Sequence, residues 1–169
     1  MIIPRKLEIG DTIGVVAPSD PIIGKNIEGI MRAREILEKD GFKVKFSFSN
    51  TCGYSATAKE KAEDINDMFQ DKDVKMIWCA KGGNNSNSVF EYLDYNVIKN
   101  NPKIVCGYSD ITSLTNMIFS KTGLVTFSGT NFKTIATDET DYSYKEIIKR
   151  FVEGSLEIGR EKSGYKTIK

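Results

Sequence analysis

No histidine occurs anywhere in the 169 residues. Hydrolysis through an activated serine needs a base to take the hydroxyl proton, and imidazole is the usual one. A Ser–His pair therefore cannot be completed within this sequence. The usual zinc ligand sets are missing too, since there are three cysteines and no C-x-x-C. Charge of one sign is also lacking. Lys and Arg number 24 against 23 Asp and Glu, a net charge of +1, which gives no electrostatic case for nucleic acid or an anionic membrane. Nothing approaches the roughly 20 consecutive apolar residues of a membrane-spanning helix. The start, Met1-Ile2-Ile3-Pro4-Arg5-Lys6, is not followed by the apolar stretch of a signal peptide. The expected location is the cytoplasm, and the odd cysteine count agrees with a reducing compartment. Cys79 and Cys106 lie in apolar runs and are expected to be buried small hydrophobes.

Hydrophobic residues make up 40% of the chain, enough for one ordinary core. Short apolar runs alternate with helix-period segments. Thr12–Ala17, Phe42–Phe48, Met76–Ala80, Lys103–Gly107 and Leu124–Phe127 read as strands. Helices are expected over 26–39, with Ile27, Ile30, Met31 and Leu37 on one face, and after the capping box Thr57-Ala58-Lys59-Glu60, with Ala58, Ala62, Ile65 and Phe69 inward. Further helices are expected through Ser88-Val89-Phe90, from Ile111 with Leu114, Ile118 and Phe119 inward, and around Tyr144, Ile147, Ile148 and Phe151. This βαβα order predicts an α/β fold: a doubly wound, mostly parallel sheet with helices on both faces, flavodoxin-like or like the class I glutamine amidotransferases. The domain is expected over 1–153. Residues 154–169 have few apolar positions and read as a linker toward a further domain.

Parallel sheets of this kind place ligands at the carboxyl ends of their strands. Three such ends are rich in small polar residues: Ala17-Pro18-Ser19-Asp20, Lys81-Gly82-Gly83-Asn84-Asn85 and Gly107-Tyr108-Ser109-Asp110. In the last, a buried strand runs through a tight turn straight into a helix, the setting of a nucleophile elbow. Ser109 is the candidate nucleophile there, beside free N–H groups at the helix start. A plainer reading of the tetrapeptide has Asp110 simply capping that helix. The glycine pair after the third strand is a strand-to-helix turn whose N–H groups could equally face an anion; it matches neither standard phosphate-binding glycine pattern. Ser19, Asn84, Asn85 and Tyr108 flank the three ends as candidate substrate contacts.

Four motifs in order resemble the LD-carboxypeptidase and microcin C immunity family of serine peptidases. They are Leu7-Glu8-Ile9-Gly10-Asp11-Thr12 through Ala17-Pro18-Ser19, Lys81-Gly82-Gly83-Asn84-Asn85-Ser86-Asn87, Leu93-Asp94-Tyr95 with Asn101-Pro102-Lys103-Ile104, and Gly107-Tyr108-Ser109-Asp110-Ile111-Thr112-Ser113-Leu114. The resemblance implies cleavage of an amide bond at an L-D peptide terminus, as in a murein tetrapeptide, or in a microcin-like peptide-nucleotide, with no cofactor and no metal. It implies Ser109 as attacking serine and the backbone N–H groups of Gly83 and Asp110 as oxyanion hole. In the family a Glu and a His from a C-terminal domain complete the triad. These 169 residues hold no histidine and are not expected to include that domain, so they are expected to be inactive alone, or to act as a non-catalytic peptide- or nucleotide-binding module. The surface left uncovered would favour a homodimer. Ser128-Gly129-Thr130-Asn131-Phe132 stands where relatives commonly have Gly-Pro-His-Phe, and Lys81 where arginine is frequent.

Overall fold

The computed structural model describes residues 1–47, 55–137 and 142–155. Five parallel strands form one sheet in the order β2-β1-β3-β4-β5. They are β1 (Thr12–Val16), β2 (Lys43–Phe46), β3 (Val74–Cys79), β4 (Ile104–Gly107) and β5 (Phe127–Ser128). The helices are α1 (Lys25–Lys39), α2 (Ala58–Gln70), α3 (Tyr95–Asn100), α4 (Ile111–Thr122) and α5 (Tyr142–Ile148). Two 3-10 turns, Ser86–Tyr92 and Phe132–Ala136, and a π-helical turn, Lys149–Glu153, complete the path. The α/β expectation holds.

The alternation of side chains along each strand splits the core in two. Met76, Trp78 and Ala80 pack with α1, the Phe132–Ala136 turn and α5, whereas Ile77 and Cys79 pack with α2, α3 and α4, and Val74 joins these last across a register shift at the start of β3. Helices on both faces explain why the central strands read as unbroken apolar runs. Trp78 is fully buried, set edge-on to Phe132 with centroids 5.5 Å apart, and its Nε1 donates to Thr130 O at 2.7 Å. Among the described residues no helix is long and apolar enough to cross a membrane.

Several expectations need correction. On α1 the buried stripe is Ile30, Ala33 and Leu37, and Ile27 and Met31 are 38% and 41% exposed. Those two lie on the neighbouring stripe, which the sheet does not reach. On α4, Phe119 is exposed and the inward stripe continues instead through Thr115 and Thr122. The Thr122 hydroxyl meets its hydrogen-bonding need by donating to Ile118 O at 2.7 Å. The second strand is shorter than expected: Phe42 precedes the ladder, and Phe48 lies outside the described residues. The last strand begins at Phe127, because Leu124 bridges instead to Ile2. The helix through Ser88 is a 3-10 turn. After it comes α3, which the sequence pattern did not reveal; Asp94 starts it by accepting from the N–H groups of Asn96 and Val97.

Candidate active site

The loops after β1, β3 and β4 converge at the carboxyl edge of the sheet. The strand order reverses between β1 and β3, and crevices form at such points. The β4–α4 junction is tightly determined. A Cβ at Gly107 would stand 2.6 Å from Ile111 Cγ2 and 3.1 Å from both Asn131 Oδ1 and Cys79 Cβ. Tyr108 N donates to Asn131 Oδ1 at 3.0 Å. Ser109 follows with φ of 64°, the only non-glycine residue at positive φ among those described. A side chain held there costs about 1–3 kcal/mol. The strain goes with exposure: the Ser109 side chain stands out from the turn, and among the described residues its hydroxyl makes no hydrogen bond.

Asp110 does not do what the sequence suggested. It is already helical, at φ −55° and ψ −33°, and its side chain makes no capping bond. The carboxylate turns to the other two loops. Oδ2 accepts from Ser19 Oγ at 2.5 Å and from Ser86 N at 2.8 Å. Burial pushes this carboxyl up, but the hydrogen bonds from Ser19, Ser86 and Asn85 outweigh it and hold the group below the ordinary aspartate range. Ser86, itself fully buried, returns a bond from Oγ to Asp110 O at 2.8 Å. One carboxylate thus joins all three strand ends.

The two glycines after β3 face different neighbours. A Cβ at Gly82 would lie 3.2 Å from Ser109 Cβ and 3.4 Å from its Oγ, so Gly82 is the glycine against the exposed hydroxyl. Gly83 backs onto the β1 loop, where a Cβ would fall 2.2 Å from Asp20 Oδ1 and 2.3 Å from Ser19 Oγ. Lys81 pairs with Asp20 at 3.2 Å. Asn84, Asn85 and Tyr108 are exposed around this edge, as substrate contacts would need to be. Ser19 is not: it is fully buried, with its hydroxyl committed to Asp110.

Beneath the loops lies Lys61 of α2, only 4% exposed. Its Nζ donates to Ser19 O at 2.9 Å and to Asn85 Oδ1 at 3.3 Å. Burial lowers its affinity for the proton, and the charges of Asp20 and Asp110 oppose that effect. The two cysteines among the described residues are no rival to the Ser109 hydroxyl. Cys79 and Cys106 are buried and free; burial raises both thiols, Cys106 to about 12, so neither offers a thiolate near neutral pH.

Sequence reasoning missed Lys61 and Asn131 as parts of this site, and it marked the glycine turn without showing that Gly82 is the glycine against Ser109 or that Ser86 bonds Asp110. A signal existed for one of them. Lys61 falls on the inward stripe of α2 with Ala62, Ile65, Met68 and Phe69, and a lysine on a buried stripe calls for a partner. The others show only once the loops are folded together.

Comparison with known proteins fits this geometry. The family model described as LD-carboxypeptidase N-terminal domain matches residues 13–129. A putative carboxypeptidase of Bacillus subtilis, YocD, is 42% identical over 134 residues, covering 78% of this chain and 41% of its own length. The probable murein peptide carboxypeptidase of the same organism is 38% identical over 154 residues, covering 86% of this chain and 47% of its own. Among solved structures, the microcin C7 self-immunity protein MccF in complex with aspartyl sulfamoyl adenosine superposes with a TM-score of 0.84 at 32% identity, covering 97% of this chain and 49% of that one. The chain spans less than half the length of these relatives. An elbow serine after β4, a glycine turn after β3 and a family match across both establish that this chain belongs to the LD-carboxypeptidase N-terminal domain family.

Proposed function

We propose that residues 1–153 are the nucleophile-bearing domain of a serine carboxypeptidase acting at an L-D peptide terminus or on a microcin-like peptide-nucleotide, working in the cytoplasm. Ser109 attacks the scissile carbonyl. The backbone N–H groups of Gly83 and Asp110 receive the oxyanion, and Asn84, Asn85 and Tyr108 contact the substrate. The observation that carries this reading is the exposed Ser109 hydroxyl, held at φ 64° between β4 and α4 and lying against Gly82. Elbow serines adopt such backbone because the strain lifts the oxygen clear of the sheet.

Proton transfer must come from elsewhere, since the 169 residues contain no imidazole. The 169-residue protein is therefore inactive alone and gains activity when a Glu- and His-bearing domain is placed against it. The test measures D-alanine release from a murein tetrapeptide. The chain alone should release none. Fused to the C-terminal half of the Bacillus subtilis murein peptide carboxypeptidase relative, it should release D-alanine, and Ser109→Ala should abolish that release. Release by the chain alone, or release from the fusion that survives Ser109→Ala, would overturn the reading.

A further inference from the structure

We infer that Lys61 is a positioning residue of this site: its buried ammonium ties the loop after β1 to the loop after β3 and so fixes where Gly82 and Gly83 stand relative to Ser109. The inference rests on the Ser109 reading above and adds to it a residue that touches no substrate.

The argument begins with cost. A desolvated ammonium is costly unless its surroundings compensate it. On a buried helical stripe a methionine would fill the same space at no such cost. Here the compensation comes from the catalytic edge itself. Ser19 O, at 2.9 Å, belongs to the β1 loop, and Asn85 Oδ1, at 3.3 Å, belongs to the β3 loop. These loops follow neighbouring strands, and a second tie, the ion pair of Lys81 with Asp20 at 3.2 Å, spans them at a more exposed point than the buried Lys61. Within the sheet Ala80 N reaches Val16 O at 2.8 Å, and Lys61 holds the loops where they leave it.

The consequence reaches Ser109 by two short routes. Ser19, gripped at its carbonyl by Lys61, donates its hydroxyl to Asp110, the residue after the elbow serine. Asn85, gripped at its side chain, precedes Ser86, whose N–H and hydroxyl both bond Asp110. Gly83 lies on Ser19 and Asp20, with no room for a Cβ. A shift of either loop therefore moves the glycine turn and the α4 start together. Lys61 holds the two loops at one separation, and Asp110 transmits that separation to the elbow.

The test needs no catalysis. Amide hydrogen exchange of the whole 169-residue protein is followed by NMR in wild type, Lys61→Met and Lys61→Arg. In Lys61→Met the Ser86 amide should exchange at least about tenfold faster, and the Gly82 and Gly83 signals should shift, whereas the Ile65 and Phe69 amides of α2 keep their rates within about threefold. Lys61→Arg, which can still donate to both acceptors, should recover most of the Ser86 protection. The inference is overturned if Ser86 exchange in Lys61→Met stays within about twofold of wild type. It is overturned equally if Ser86 accelerates only in step with Ile65 and Phe69, or if arginine recovers nothing. Should Lys61→Met not fold, Asn85→Ala removes one of the two acceptors and is judged by the same Ser86 rates. Repeating the series in a Ser109→Ala background separates the two readings, because these rates do not depend on the serine hydroxyl and D-alanine release does.

Discussion

At the residue scale the site is a set of positions where one side chain, or none, fits. Ser109 occupies backbone space that favours glycine, and relief of that strain should be measurable. Ser109→Gly should be more stable than Ser109→Ala by about 1 kcal/mol, the part of the strain left after glycine's larger loss of chain entropy. Both variants lack the hydroxyl, so the urea midpoints compare backbone alone. Equal midpoints would mean that the turn is not strained. Asn131 serves the elbow from another loop. Its carboxamide oxygen accepts the Tyr108 N–H at 3.0 Å. The bond needs only an acceptor at that spot.

At the element scale, α2 illustrates what sequence shows and what it hides. Its start was legible. Thr57 Oγ1 accepts Glu60 N at 3.3 Å, and the Glu60 carboxylate accepts Thr57 N at 2.8 Å, as the T-x-x-E spacing implies. Its end was not, because the last turn carries no cation of its own. The cation comes from Lys103, at the foot of β4, whose Nζ donates to Met68 O at 2.6 Å and to Asp71 O. The Asn101-Pro102-Lys103 motif thus acts on a helix more than thirty residues earlier, a distance no local pattern spans. Burial draws this lysine down to about 8, with Asp71 opposing. Between about pH 8 and the ordinary lysine value of 10.5 the folded chain therefore binds fewer protons here than the unfolded chain. Stability from this group must rise with pH across that window. The urea midpoint of wild type should climb relative to Lys103→Met from pH 8 upward. A wild-type midpoint that falls relative to Lys103→Met instead would mean that the folded protein prefers the ammonium.

At the scale of the whole molecule, periodicity was a good guide where both sheet faces are covered. Met76–Ala80 and Lys103–Gly107 announced central strands because helices on each side demand unbroken apolar runs. It misled on outer surfaces, where Ile27, Met31 and Phe119 look like core in sequence and are exposed in the fold. The elbow was legible as a strand-turn-helix junction, but the Lys61–Ser19–Asp110 linkage was not, since it joins residues 42 and 91 positions apart. The same sheet also has two flanks. One, β5, contributes only Phe127 and Ser128. The other, β2, is longer and alternates the exposed Lys43 and Lys45 with Val44 and Phe46, Lys45 also pairing with Asp71 at 2.6 Å. A short flank and a cationic flank are two of the ways a sheet avoids acting as a template for further copies. Replacing Lys43 and Lys45 together with threonine should leave the interior intact and turn that rim adhesive. Solutions that stay clear for wild type should then scatter light on standing.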